Sequence, residues 1–246
     1  MDLIGGTAKT ASHYFENFFI QETIKTPLAR VDPRVKVAGH VALVVLSVLS
    51  WTPERLLLLL AALSLLLAVS RVPPSAFLSR IWLIPAFTAV VLLPHVFITS
   101  LNYVVVFIVR VYLAVSFLVL LNLTTPFRDM LWALHRYRIP HTLLLIIATT
   151  YRYLHLMFSE LNRMLLARES RRPGKAACRK TWEAGGQMLG AFFIRAYERG
   201  ERVQMAMSAR GYDGRFILTP GDDSRAPHTA AFAALVFLVS IGWWFM

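Results

Sequence analysis

The chain has a single cysteine, Cys178, which excludes an intrachain disulfide and a thiolate metal cluster. Charge is scarce: 16% of residues are Asp, Glu, Lys or Arg, and 14 acids stand against 26 bases. There is no phosphate-cradling glycine loop ending in Lys-Ser/Thr, no His-Glu-x-x-His and no Gly-x-Ser-x-Gly. ATP binding through a P-loop and the familiar hydrolase sites are therefore not encoded. No two of the seven histidines lie three or four residues apart, so no helix face offers a paired ligand set. Any metal must be held mostly by another chain, or by residues that meet only in three dimensions. Low-complexity tracts and clear internal repeats are also missing.

Apolar residues are plentiful. They make up 57% of the chain, and the mean hydropathy is +0.55. An ordinary soluble domain is less apolar than this. Five segments approach or reach the roughly 20 residues needed to cross a hydrocarbon core. They lie near Val35–Trp51, Arg55–Ser70, Arg80–Ile98, Leu101–Leu123 and Thr229–Met246. The expected fold is an all-α polytopic membrane protein with about five transmembrane helices. It divides into an N-terminal segment (1–36), a four-helix membrane domain (37–123), a basic segment too polar to span (124–228) and a last transmembrane helix (229–246). Residues 1–34 are polar and mixed, unlike a secretory leader. Lys36 and Arg55, at the edges of the first two spans, are expected to snorkel outward. Pro85 and Pro94 should kink the third span.

The net charge of +12 would point to nucleic acid in a soluble protein, but in a membrane protein it is the positive-inside bias. With 124–228 and the N-terminus in the cytosol, every Lys and Arg except Arg55 and Arg110 falls on that side. Arg110 lies within the fourth span, where both a functional charge and a snorkelling one are open readings. Leu143–Phe158 is a possible sixth span. Arg152 and His155 inside it, and the many bases it would export, favour instead the buried or interfacial half of a cytosolic helix.

Three helices are expected within 124–228. The first is N-capped by Thr125, with Pro126 at its first position, and ends before Pro140. The second runs over 141–171 and is stopped by Pro173-Gly174, with an apolar face of Leu143, Ile147, Leu154, Phe158, Leu161 and Leu165. The third runs over 182–210 and is stopped by Gly211 as a left-handed C′ residue. Its apolar face carries Leu189, Phe192, Ala196, Val203 and Met207, and Arg195, Arg199 and Arg202 lie opposite. Gly185 and Gly186 are read as easing close helix packing.

The two long helices end on similar tripeptides, Ala167-Arg168-Glu169 and Ala209-Arg210-Gly211. Cations in a last turn stabilise the helix macrodipole by only about 0.3–1 kcal/mol. Here each arginine also follows an uncrowding alanine and sits near a helix stop, so its guanidinium can project. A helix of about 29 residues spans roughly 43 Å, so the two tips need not lie together. Separated, similar tips fit two equivalent grooves, which a dimeric partner would supply, with guanidinium–carboxylate contacts in each.

The stretch Ala206-Met207-Ser208-Ala209-Arg210-Gly211-Tyr212-Asp213-Gly214-Arg215 resembles the second Ala-Arg-Gly motif of the T component of energy-coupling factor (ECF) transporters, cobalt-type CbiQ branch. Leu165–Arg172 is similar to the first motif, except that Glu169 stands where the family often has glycine or a small or basic residue. Asp32-Pro33-Arg34-Val35-Lys36, Pro126–Pro140 and Thr150-Tyr151-Arg152-Tyr153 also fit, so the resemblance covers nearly the whole chain. It implies a helical coupling domain with two long crossing helices. Ala167, Arg168, Ala209, Arg210 and Gly211 would dock into a dimer of CbiO-like ATPases. A CbiM-like substrate-binding membrane subunit and a small CbiN-like accessory subunit would be further partners. ATP and Mg would then belong to the partners, the chain itself would hold no cofactor, catalytic residue or metal site, and cobalt would be the cargo. The location would be the inner (plasma) membrane.

Other readings are weighed beside this one. A nickel or vitamin importer would use the same architecture. A membrane enzyme would need a clustered carboxylate or histidine set, which is absent. A membrane-tethered binder of anionic lipid or nucleic acid would use the basic segment as a whole, with a steep salt dependence.

Overall fold

The computed structural model describes residues 28, 31–94, 101–171, 178–214 and 226–246. The expected Pro173-Gly174 stop, the far end of the third span, and the bases before Arg34 and between Gly214 and Ala226 lie outside the described residues. Helices make up almost all of the rest: α1 (Pro33–Leu49), α2 (Pro53–Ser70), α3 (Pro74–Ile81), α4 (Leu83–Leu92), α5 (Leu101–Thr124), α6 (Phe127–Arg136), α7 (His141–Ser170), α8 (Cys178–Ala209) and α9 (Ala226–Phe245). The protein is an all-α polytopic membrane protein. Two compact units divide it between Arg138 and Ile139, one carrying α7 and α8, the other the remaining helices.

The bundle unit is organised around α5. Leu113, Phe117, Leu120 and Thr124 recur at three- and four-residue intervals and are fully buried. They meet a matching stripe on α1, namely Lys36, Gly39, His40, Leu43 and Ser47. Helix α2 adds Leu56, Leu59, Leu63 and Leu66 to the same core. The outward faces remain apolar, as on α4, where Phe87 is 69% exposed and no residue is buried. An apolar exterior of this kind suits lipid rather than water.

Among the described residues, four helical stretches are long and apolar enough to cross a bilayer: Pro53–Ser70, Pro74–Leu92, Asn102–Thr124 and Pro227–Phe245. Helix α1, the expected first span, is 17 residues long and packs inside the bundle with one face fully buried. The third span is broken at Trp82. Pro85 has no N–H to offer the Ile81 carbonyl four residues back, and its ring crowds that carbonyl. The ladder runs from Trp82 N–H to Leu78 and resumes with Ala86 N–H to Trp82, passing over Ile81. The stretch from Arg71 to Arg80, between the second and third expected spans, is largely α3, with Arg80 in its last turn.

Small residues let α9 close against the bundle. A Cβ at Gly39 would lie 2.6 Å from Phe232, and one at Gly242 would lie 2.9 Å from Leu58. At the far end of α1, the Trp243 indole N–H donates to Ser50 Oγ at 2.7 Å. The Arg55 guanidinium covers the same Trp243 ring at 4.6 Å, and Arg110 covers Trp51 at 4.4 Å. Each of these two arginines therefore has an aromatic partner.

Lys36 overturns the snorkelling expectation. Its side chain is 1% exposed, and its ammonium donates to the Leu28 carbonyl at 3.0 Å and the Thr124 carbonyl at 2.7 Å. The end of α5 gives the reason: the last carbonyls of a helix lack intrahelical donors, and an ammonium satisfies them. Helix α6 starts at Phe127 with Pro126, not Thr125, in the cap position. It packs across α1 in the bundle unit, although the sequence grouped it with the segment that follows.

Candidate functional site

The hairpin unit consists of α7, 30 residues long, and α8, 32 residues long. Both extents lie close to the sequence expectation. The helices approach where Arg195 Nη1 donates to Glu160 Oε1 at 2.7 Å. From that point the N-terminal arm of α7 and the C-terminal arm of α8 line a shared groove of about 590 Å³. Moving backward along α7 thus accompanies moving forward along α8, and the pair runs antiparallel. Leu145, Ile146 and Met157 form one wall, and Val203, Met207 and Tyr212 the other.

This arrangement decides where the arginines fall. Arg168 lies eight residues beyond Glu160, roughly 12 Å along α7 at 1.5 Å per residue. Arg210 lies fifteen residues beyond Arg195, roughly 22 Å along α8 in the opposite sense. The two side chains stand at opposite ends of the hairpin.

The ends differ in construction. Helix α8 closes with Gly211 N–H donating to the Ser208 carbonyl at 3.0 Å and Tyr212 N–H to the Met207 carbonyl at 3.1 Å. Gly211 has φ +73°, which only a residue without a Cβ adopts at little cost. These are the two bonds of a Schellman motif, and Tyr212 closes over Met207 in the groove. Ala209, Arg210 and Gly211 are all exposed, and Arg210 follows the last helical residue. Arg168 instead lies inside the last turn of α7, which runs on to Ser170, and it is half-buried while Ala167 is exposed. Ser170 Oγ donates to the Ala167 carbonyl at 2.9 Å, drawing that turn closed.

Four sequence assignments change. Leu189 is 57% exposed, while Arg199, assigned to the polar face of α8, is half-buried and lines the groove. On α7 the expected face fails only at its start, where Leu144 is fully buried while Leu143 and Ile147 are exposed; Leu154, Phe158, Leu161 and Leu165 are half-buried as expected. A Cβ at Gly185 or Gly186 would meet nothing within 4 Å, so neither marks a close packing point. Among the described residues no three His, Cys, Asp or Glu side chains could hold one metal ion.

The described residues thus form a multi-span helical bundle and a hairpin of two long helices, each with an arginine near its C-terminal end. Residues 24–218 match the family model CbiQ, cobalt transport protein, and the chain belongs to that family. An uncharacterized protein of Methanocaldococcus jannaschii is 30% identical over 234 residues, covering 84% of this chain and 80% of its own length. The cobalt transport protein CbiQ of Rhodobacter capsulatus is 33% identical over 91 residues, 37% of each chain. The nickel permease LarQ of Lactiplantibacillus plantarum is 27% identical over 225 residues, covering 87% of this chain and 79% of its own.

Proposed function

We propose that this chain is the non-catalytic transmembrane coupling (T) component of an ATP-driven ECF-type cobalt importer. In this reading the bundle lies in the plasma membrane and the hairpin faces the cytoplasm, with nearly all the basic charge on that side. Two CbiO-like ATPase subunits, which carry the ATP and Mg, take the exposed ends of α7 and α8 into one groove each. Their closure moves the hairpin, and the hairpin re-orients a CbiM-like substrate-binding subunit, with a CbiN-like subunit alongside.

One observation carries the reading. Arg210 follows the end of α8 on a Schellman turn, exposed between Ala209 and Gly211, at the opposite end of the hairpin from Arg168. A guanidinium in that position can make bidentate bonds to a carboxylate in a partner groove. Family membership supports cobalt as cargo, and the long match to a nickel permease supports nickel as the second candidate.

The test is Arg210→Glu in the membrane-inserted chain expressed with its ATPase partners. The reversed charge should abolish ATPase copurification and ion uptake while leaving insertion unchanged. Normal uptake by this variant would overturn the reading. Uptake of radiolabelled Co²⁺ against Ni²⁺ by the wild type identifies the cargo.

A further inference from the structure

The sequence Asp32-Pro33-Arg34-Val35-Lys36 opens α1, and three of its residues grip three different elements. The Asp32 N–H donates to Thr229 Oγ1 of α9 at 3.0 Å, and its carboxylate caps α1 by accepting from Arg34 N–H at 2.9 Å. Arg34 lies over the Trp132 ring of α6 at 4.2 Å, and its carbonyl accepts from the Tyr137 hydroxyl, just past the end of α6, at 2.7 Å. Lys36 reaches the last residue of α5 through the Thr124 carbonyl.

A simple packing role is a poor account of Lys36. An apolar side chain of similar length would fill the same volume without the cost of desolvating an ammonium. What the ammonium adds is direction. Its donors fix the carbonyl at the α5–α6 corner, where Thr124, Thr125 and Pro126 turn the chain from the bundle into α6. Positions 34 and 36 lie two residues apart, so their side chains leave α1 roughly 200° apart, and the first turn of α1 clamps the corner from two directions. Helix α6 ends at Arg136, and the bundle unit ends two residues later at Arg138, which has φ +62°. The clamp therefore holds the last helix before the chain enters the hairpin unit.

We propose that Lys36, with Arg34, is a positioning residue for coupling: it fixes the α5–α6 corner and α6 to the bundle, so that displacement of the hairpin is passed on rather than absorbed at that corner. The inference rests on the coupling role proposed above. Lys36 acts through the α5–α6 corner and Arg34 through α6.

The experiment uses the full complex, reconstituted with the ATPase and substrate-binding subunits, and compares wild type with Lys36→Met. Three quantities are read: the amount of assembled complex, ATP hydrolysis per complex, and Co²⁺ taken up per ATP hydrolysed. The expected result is assembled, hydrolysing complex whose uptake per ATP falls by about twofold to thirtyfold, the range that mutations along a coupling network produce. A purely structural lysine would lower the yield of complex and leave that ratio unchanged, which would overturn the proposal. Should Lys36→Met fail to insert, Trp132→Leu combined with Tyr137→Phe releases α6 without emptying a buried charge site. It should lower the same ratio, and a wild-type ratio in that variant would also overturn the proposal. Failure of the wild-type chain to bind ATPases at all would instead strike the functional reading.

Discussion

Gly39 of α1 and Phe232 of α9 meet so closely that a Cβ at position 39 would fall 2.6 Å from the phenyl ring. The ring is not free to swing aside. It stacks on His40 with centroids 5.4 Å apart and planes 15° from parallel. Gly39→Ala should therefore force α9 away from α1 at a cost of about 1–3 kcal/mol, the usual range for overpacking. Thermal unfolding in detergent micelles checks this. An unchanged midpoint would mean that α9 is held elsewhere.

The Trp243 indole makes two contacts that a single substitution separates. Trp243→Phe keeps a ring beneath Arg55 but removes the N–H bonded to Ser50. The loss should be about 1 kcal/mol, one hydrogen bond with the cation–π contact mostly kept. Trp243→Leu removes both and should cost more. Equal losses in the two variants would show that only bulk matters at this end.

At the end of α8, Gly211→Ala places a Cβ on a residue with φ +73°. The strain should be about 1 kcal/mol and confined to the last turn. Amide hydrogen exchange should speed up at Gly211 and Tyr212, the two donors of the closing turn, while α1 and α5 exchange as before. Unaltered protection at those two amides would count against a strained cap.

The Glu160–Arg195 pair is well formed at 2.7 Å, but the two side chains are 24% and 57% exposed. Solvent screens it, and Glu160→Gln should change stability by less than about 1 kcal/mol. Its effect should be on register instead. The distance between spin labels at the tips of α7 and α8 should broaden in the variant and narrow again in low salt for the wild type. A sharp, unshifted distance would remove the pair from any role in alignment.

Reversing both of the arginines proposed to dock tests their independence. If Arg168 and Arg210 enter separate grooves, Arg168→Glu added to Arg210→Glu should weaken ATPase binding further than either alone, with nearly additive free energies. Arg168 is half-buried within its helix, so its single substitution should be the milder. A double variant no worse than Arg210→Glu would place the whole contact at one end.

Much of this architecture is legible in the residues, and the misses share a physical cause. The long helices α7 and α8 follow from periodicity and stop signals, which are local. The Gly211 turn is legible for the same reason, since only glycine takes that φ cheaply. Lys36 is illegible because one of its two acceptors lies 88 residues away, and the general behaviour of a lysine at a helix edge is to reach for water. Pro85 announces a break, and its location one turn back, at Ile81 and Trp82, follows from the carbonyl four residues before the ring. On α8 the distinction between Leu189 and Arg199 is lost because two long helices that touch sparingly leave apolar side chains outside and admit the stem of an arginine.

The asymmetry of the hairpin about its ion pair has a mechanical corollary. Scissoring about Glu160 and Arg195 by about 5° would sweep Arg210 through roughly 2 Å and Arg168 through roughly 1 Å, given arms of roughly 22 and 12 Å. Rotation about that pair would give the two ends unequal strokes. A symmetric pair of partners driving it would meet unequal leverage, and the Arg210 end would travel about twice as far as the Arg168 end.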